Sequence, residues 1–361
     1  MNELKCCNIV IGNKFTSHSV LIPHILHFAG INRMPHARRS RKCKKNAANA
    51  ANAAKRTTTA KRTTSTKKGV KKGAAPVKRA SFERLKCGPV QDNYFTCYDN
   101  DTLHKLRDGW NVRHPDARIE TNDPREIWTA LKQRLSQSCR NEACWMKKIM
   151  GSDPAEVSAD TFAPEAPKSW IRDPDEWLTS EEIENVMKQY EDRFPTFEFL
   201  GPSPSDYNAP KLAGVCVWEE LCNFSLKKYA DSGTKKIGVI FNTDPHTEEG
   251  SHWVSLFINI GAKNNYIFFF DSTGDRPQKE IREFVKMVTQ QGRALGIRFK
   301  YYENRKEHQK RNTECGMYAL FMIVNLIEET RTPQEFMRGD RIPDSHMLEF
   351  RKEYFNRGGS V

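Results

Sequence analysis

Cys315, His252, Asp271 and Gln309 are of types, and at spacings, that suit attack on a carbonyl by a thiol. A cysteine is a good nucleophile when its thiolate is available near neutral pH, which an imidazole partner and the positive end of a helix dipole both favour. Cys315 stands where a long apolar run, Gly316 to Ile327, begins. That run is apolar all round, so it predicts a helix buried in the core with the sulfur at its N-terminus. The imidazole has to be held in one tautomer by a carboxylate or amide on its other nitrogen. His252 opens one expected strand and Asp271 closes the next, so a hairpin would bring them together. A donor must also face the charge that develops on the attacked oxygen. Gln309, six residues before Cys315 in a polar loop, is within reach of that role. Taken singly, each has a blander reading: a small buried thiol, a core His-Trp pair, or a cap on the turn Asp271-Ser272-Thr273-Gly274.

The combination is more specific. His252-Trp253, Asp271-Ser272, and Gln309 followed after five residues by Cys315-Gly316 resemble a known family of cysteine peptidases. It contains the ubiquitin-like-protein-specific proteases, the adenovirus maturation protease and the polyprotein-processing proteases of large cytoplasmic DNA viruses. The resemblance runs from about Trp170 to Glu329 and implies a papain-like (adenain/Ulp-type) α+β fold with a mostly antiparallel central sheet and a buried nucleophile helix. It also implies the site roles: Cys315 nucleophile, His252 base, Asp271 its orienting partner, Gln309 the oxyanion donor. Trp177-Leu178-Thr179-Ser180 resembles the family's Trp-Leu-Asn-Asp helix start, and by that match Trp177 and Trp253 are the walls of a tunnel that admits only glycine; a plain core role is the alternative for both.

Ser180 replaces the acid that meets a ubiquitin-like partner in deconjugating members, while Phe241 to His246 and Gly250 to Trp253 are closer to the viral members. The expected activity is therefore endopeptidase cleavage after Gly-Gly or Ala-Gly, acting on viral structural or core precursors during virion maturation, without cofactor or metal. Its setting would be the virion and the host cytoplasm, with the nucleus as the alternative. A processing protease for a SUMO-type modifier is the second enzymatic reading. A packaging protein whose protease-like domain is only a scaffold is the non-enzymatic one. Arg357-Gly358-Gly359 near the end of the sequence is either a self-cleavage site or a flexible glycine tail.

The elements that must position these residues begin after a compositional break. Residues 1–80 hold 19 Lys or Arg and one acid, whereas the other 281 residues carry a net charge of −5 and all seven tryptophans. Such a basic segment cannot bury enough apolar surface to offset its chain entropy, so it reads as a disordered tail. Its Asn-Ala-Ala repeats and regularly spaced basic pairs suit sequence-independent binding of nucleic acid through residues 34–80, nuclear import, or simple solubility. Residues 19–30 faintly resemble the apolar part of a signal peptide, interrupted by Pro23, His24 and His27; Met34 is an alternative start. No run reaches the roughly 18 apolar residues of a membrane span, and a soluble protein acting on protein substrates is expected.

Residues 81–165 read as a small helical domain and linker, and 166–361 as the catalytic domain. Asp123-Pro124-Arg125-Glu126 is a helix start with cap, proline and reciprocal acid, followed by Ile127, Trp128, Leu131 and Leu135 on one face. A shorter helix is expected from Thr102 to Asp108, and an Asp- and Pro-rich linker from Ser152 to Pro174. Cys87, Cys97, Cys139 and Cys144 read as buried structural thiols or, at spacings loose for a zinc ribbon, as a metal site. The absence of a dense disulfide framework, together with the reduced thiol the chemistry needs, points to an intracellular or virion-interior setting. Thr179 to Glu182 caps a further helix. Strands are expected at Ile237–Phe241, Trp253–Ile260, Tyr266–Phe270 and Ile297–Tyr302, with a helix from Pro277.

Overall fold

The structure is a computed structural model that describes residues 82–89, 95–151, 161–211, 214–261 and 264–357, all within the unit Ser65–Val361. The readings of the basic tail, the apolar stretch 19–30, the start at Met34 and the Gly358-Gly359 pair lie outside the described residues.

Three helices come first: α1 (Asn100–Arg113), α2 (Pro124–Leu135) and α3 (Ala143–Met150). Asp99 and Asp123 cap the first two by accepting from the backbone amides of Thr102 and Glu126. Their apolar faces close over a core of their own, including Leu103, Leu106, Ile127, Leu131, Trp145 and Ile149. The cysteines here are neither free thiols nor metal ligands, because Cys87 is joined to Cys97 and Cys139 to Cys144. Cys216 is joined to Cys222, which leaves Cys315 as the free cysteine among the described residues.

Residues 161–178 correct the linker expectation. Phe162 joins the helical core, and Trp170 packs edge-on against Phe355 with ring centroids 5.0 Å apart. The segment runs to Pro167, turns through a short 3-10 helix at Lys168–Ile171 and continues to Leu178, and Phe162 and Trp170 anchor it to the protein as a strap.

Beyond the strap come α4 (Ser180–Arg193), β1 (Phe197–Ser203), the short helices α5 (Glu219–Cys222) and α6 (Leu226–Asp231), then β2 (Lys236–Asn242), β3 (Trp253–Asn259) and β4 (Tyr266–Phe270). The chain continues through α7 (Lys279–Ala294), β5 (Lys300–Glu303), α8 (Cys315–Ile327), α9 (Pro333–Arg338) and α10 (Asp344–Tyr354). The five strands lie in sequence order in one sheet. β2, β3 and β4 are antiparallel, but each edge strand is parallel to its neighbour, so the sheet is mixed where a mostly antiparallel one was expected. The cause is the helical crossovers, α5–α6 before β2 and α7 before β5, which return the chain to the end of the sheet where it started.

Both faces of the sheet are covered, which is why the central strands are apolar without alternation. Val239, Phe241, Leu256, Ile258 and Phe269 face α6 and α7, while Ile240, Phe257, Phe268 and Phe270 face α8. All thirteen residues of α8 are buried. Its approach to β2 is close enough that a Cβ on Gly238 would lie 3.1 Å from the Ile323 side chain. Among the described residues no helix is long and apolar enough to cross a membrane.

Candidate active site

The antiparallel register sets Ser255 of β3 opposite Phe270 of β4. His252, just before β3, and Asp271, just after β4, therefore emerge at the same end of the sheet. Their side chains meet, with Nε2 of His252 2.8 Å from Oδ1 of Asp271. Oδ1 also accepts from the Thr273 amide and hydroxyl, both at 2.8 Å, which fixes the carboxylate. The same imidazole also interacts with Cys315, the first residue of α8 and 2% exposed. Burial by itself depresses the basicity of His252. The interactions with Asp271 first and Cys315 second outweigh it and raise the pKa to about 10. These partners favour the charged form of the ring.

Gln309 is set by the residue after Asp271. The Ser272 hydroxyl donates to Gln309 Oε1 at 2.7 Å, and the Ser272 carbonyl accepts the backbone amides of His308 and Gln309 at 2.8 and 2.9 Å. With its oxygen engaged in this way, the side chain of Gln309 has its amide N–H groups to offer an acceptor. Asn304, fully buried at the end of β5, clamps the two loops by donating to the carbonyls of Asp271 and Lys306 at 2.8 and 2.9 Å. Gly274, at φ +78°, lies so near the 305–306 backbone that a Cβ there would sit 2.8 Å from the Arg305 oxygen. His308 sits between Phe336 and Ile342: its Nε2 donates to the Phe336 carbonyl at 2.9 Å and its Nδ1 accepts the Ile342 amide at 3.1 Å. Because Nδ1 accepts an amide proton the ring is a structural imidazole, and burial lowers its pKa, the opposite direction to His252.

Trp253 is 7% exposed and its indole donates to the Leu178 carbonyl at 2.9 Å. Leu178 in turn lies on Gly316, where a Cβ would meet the Leu178 side chain at 3.0 Å. Leu178, next to the half-buried Trp177, is therefore held against both Trp253 and Gly316. The structure thus joins His252 to Asp271 by a hydrogen bond and lets that imidazole interact with Cys315, while Gln309 is tied to Ser272 and Trp253 to Leu178, the neighbour of Trp177. Asn304 and His308 escaped sequence reasoning. The available signal was a run of polar side chains, Asn304 to Gln309, directly after a strand. Among the described residues no group of three or more His, Cys, Asp or Glu is placed to hold a metal ion.

Residues 232–357 match the Ulp1 protease family, C-terminal catalytic domain. Over 265 residues the chain is 29% identical to a putative thiol protease of Acanthamoeba polyphaga mimivirus, a match that covers 67% of this chain and 84% of the relative. It is 23% identical over 261 residues to a cysteine protease of African swine fever virus, covering 68% and 93%. In another isolate of that virus the corresponding relative is named a SUMO-1 cysteine protease. A crystal structure of the African swine fever virus protease has the same fold, with a TM-score of 0.56 at 19% identity over 76% of this chain and 96% of that one.

Proposed function

We propose, for a chain whose residues 232–357 belong to the Ulp1 protease family and make it a cysteine protease, that Cys315 is the nucleophile and that the enzyme cleaves after glycine in Gly-Gly or Ala-Gly sequences. The observation that supports this reading is a single imidazole hydrogen-bonded to a buried carboxylate and interacting with the free thiol.

The Cys315 thiolate adds to the scissile carbonyl carbon, and the carbonyl electron pair moves onto oxygen. The amide of Gln309 and the backbone N–H at the start of α8 stabilise that oxyanion. Collapse breaks the C–N bond, the imidazolium of His252 gives its proton to the departing amine, and a thioester remains. Water, deprotonated by the now neutral imidazole, then releases the acid and regenerates the thiolate. Trp177 and Trp253 are the side chains assigned to narrow the space beside the attacked carbon, which would favour glycine there.

The viral proteases it resembles support structural or core precursors as substrates, within virions and in the host cytoplasm where they assemble. The charge of residues 1–80 supports sequence-independent contact with nucleic acid. A SUMO-type conjugate is the competing substrate, named for one African swine fever virus relative. Kinetics on Gly-Gly peptides and on a SUMO fluorogenic substrate, with Cys315→Ala as the blank, separate the two. Turnover of peptides alone supports precursor processing, SUMO turnover at least tenfold faster assigns the conjugate, and cleavage surviving Cys315→Ala removes Cys315 as nucleophile.

A further inference from the structure

The strap that carries Trp177 is held by one buried guanidinium. Arg351, on α10, is 5% exposed. Its Nε donates to Oε2 of Glu314 at 2.9 Å, and Glu314, itself 1% exposed, is the residue before Cys315. Its Nη2 donates to the Glu176 carbonyl at 2.6 Å, and Glu176 is the residue before Trp177. The guanidinium carbon lies 4.4 Å from the centroid of the Trp170 ring. A single side chain thus touches the start of the nucleophile helix and both ends of the strap segment 170–176.

Removing two charges from water is costly, and an apolar pair would fill the same space, so packing alone does not account for the pairing. What an apolar pair lacks is direction. The planar fork of arginine serves a carboxylate and a carbonyl at once while its face rests on an indole, a geometry that lysine does not reproduce. The same C-terminal segment also anchors the strap's beginning, because the Asn356 carbonyl accepts the Ala166 amide at 2.6 Å and the Asn356 amide donates to the Pro164 carbonyl at 2.7 Å. On the outer side, Arg311 lies 3.7 Å from Asp175.

We propose that Arg351 is a positioning residue for substrate selection: it locks the spacing between Glu314-Cys315 and Glu176-Trp177, and so sets how wide the slot beside the nucleophile is. This rests on the reading of that slot as the glycine site. The test compares kcat/KM on two peptides that differ only in Gly or Ala before the scissile bond, in the full chain, for wild type, Trp177→Ala and Arg351→Lys, with thermal unfolding followed in parallel.

Arg351→Lys keeps a charge for Glu314 but not the fork. It is expected to hold its melting temperature near wild type while the preference for Gly over Ala falls about tenfold or more, mostly through gain on the Ala peptide. Unchanged selectivity, or an equal loss on both peptides, overturns the proposal. Should Arg351→Lys fail to fold, the neutral pair Glu314→Gln with Arg351→Gln is read by the same two outcomes. If Trp177→Ala itself leaves selectivity unchanged, the slot is elsewhere and the underlying reading fails with it; if Trp177→Ala relaxes selectivity and the Arg351 variants do not, only the role of Arg351 falls.

Discussion

Asp271 and Glu142 are buried almost equally, at 4% and 6% exposed, and both carboxylates collect several donors, yet they sit in regions with different tasks. Glu142, at the start of α3, accepts from the Thr96 hydroxyl at 2.6 Å, the Cys97 amide at 3.2 Å and the Trp128 indole at 2.8 Å. Every one of these donors is neutral and keeps its proton at any ordinary pH. Asp271 also has neutral donors, in Thr273, but its remaining partner is an imidazole that touches a thiol. Burial of a charge therefore does not mark a functional site by itself, because a carboxylate surrounded by fixed donors is a structural tie. The mark is a titratable partner that has a second, reactive neighbour.

The largest expected effect separates these two carboxylates by activity. Asp271→Ala should lower kcat/KM by roughly 100-fold or more, with a modest change in melting temperature. Asp271→Asn keeps an acceptor for the ring and should lose less. Because Asp271 is one of the groups that raise the His252 pKa to about 10, both variants should move the alkaline limb of the pH–rate profile downward, towards 6.5. A wild-type profile with an alkaline limb already near 6.5 would break the comparison.

The next effect is one of stability. Glu142→Ala leaves the Thr96, Cys97 and Trp128 donors unsatisfied inside the helical unit and should cost about 3 kcal/mol, read by denaturant unfolding. Steady-state constants at a temperature where the variant is folded should stay within about twofold of wild type. A large fall in kcat with stability intact would mean that the helical unit takes part in catalysis.

A third carboxylate sharpens the contrast with the smallest effect. Glu191 is half-buried, accepts a single amide, that of Phe199, at 2.7 Å, and faces Asp192, Glu198 and Glu220. Burial first and these carboxylates second raise its pKa to about 7, against the pull of the Phe199 amide. A carboxyl raised on folding contributes stability that is complete below its unfolded pKa of about 4.5 and is lost as the pH rises through 7. Glu191→Gln should therefore raise the melting temperature at pH 8, by about 2 °C, and leave it nearly unchanged at pH 4.5. An equal shift at both pH values would assign the gain to packing rather than charge.

The site was far more legible in the sequence than the frame around it. The buried nucleophile helix announced itself because all the residues from Gly316 to Ile327 except Asn325 are apolar or small, and the hairpin from His252 to Asp271 followed from two apolar runs. β1 was missed because Gly201-Pro202 inside it reads as a turn. The strap was misread as a linker because its prolines outweighed Phe162 and Trp170. The disulfides were invisible because pairing depends on which backbones lie close together, not on spacing along the chain. The Glu314–Arg351 tie joins residues 37 apart in sequence, and no local pattern connects them. Chemistry that rests on neighbouring elements leaves a motif; tertiary support does not.

The chemistry of the site depends most on the charge state of one ring. Titrating the His252 ring carbons by NMR, in wild type and in Cys315→Ala, measures it directly. The expected midpoint is near 10 in the wild type, falling towards 6.5 when the thiol is removed. A midpoint at or below 6.5 in the wild type, unmoved by Cys315→Ala, would contradict the pairing of imidazole and sulfur on which the site is built.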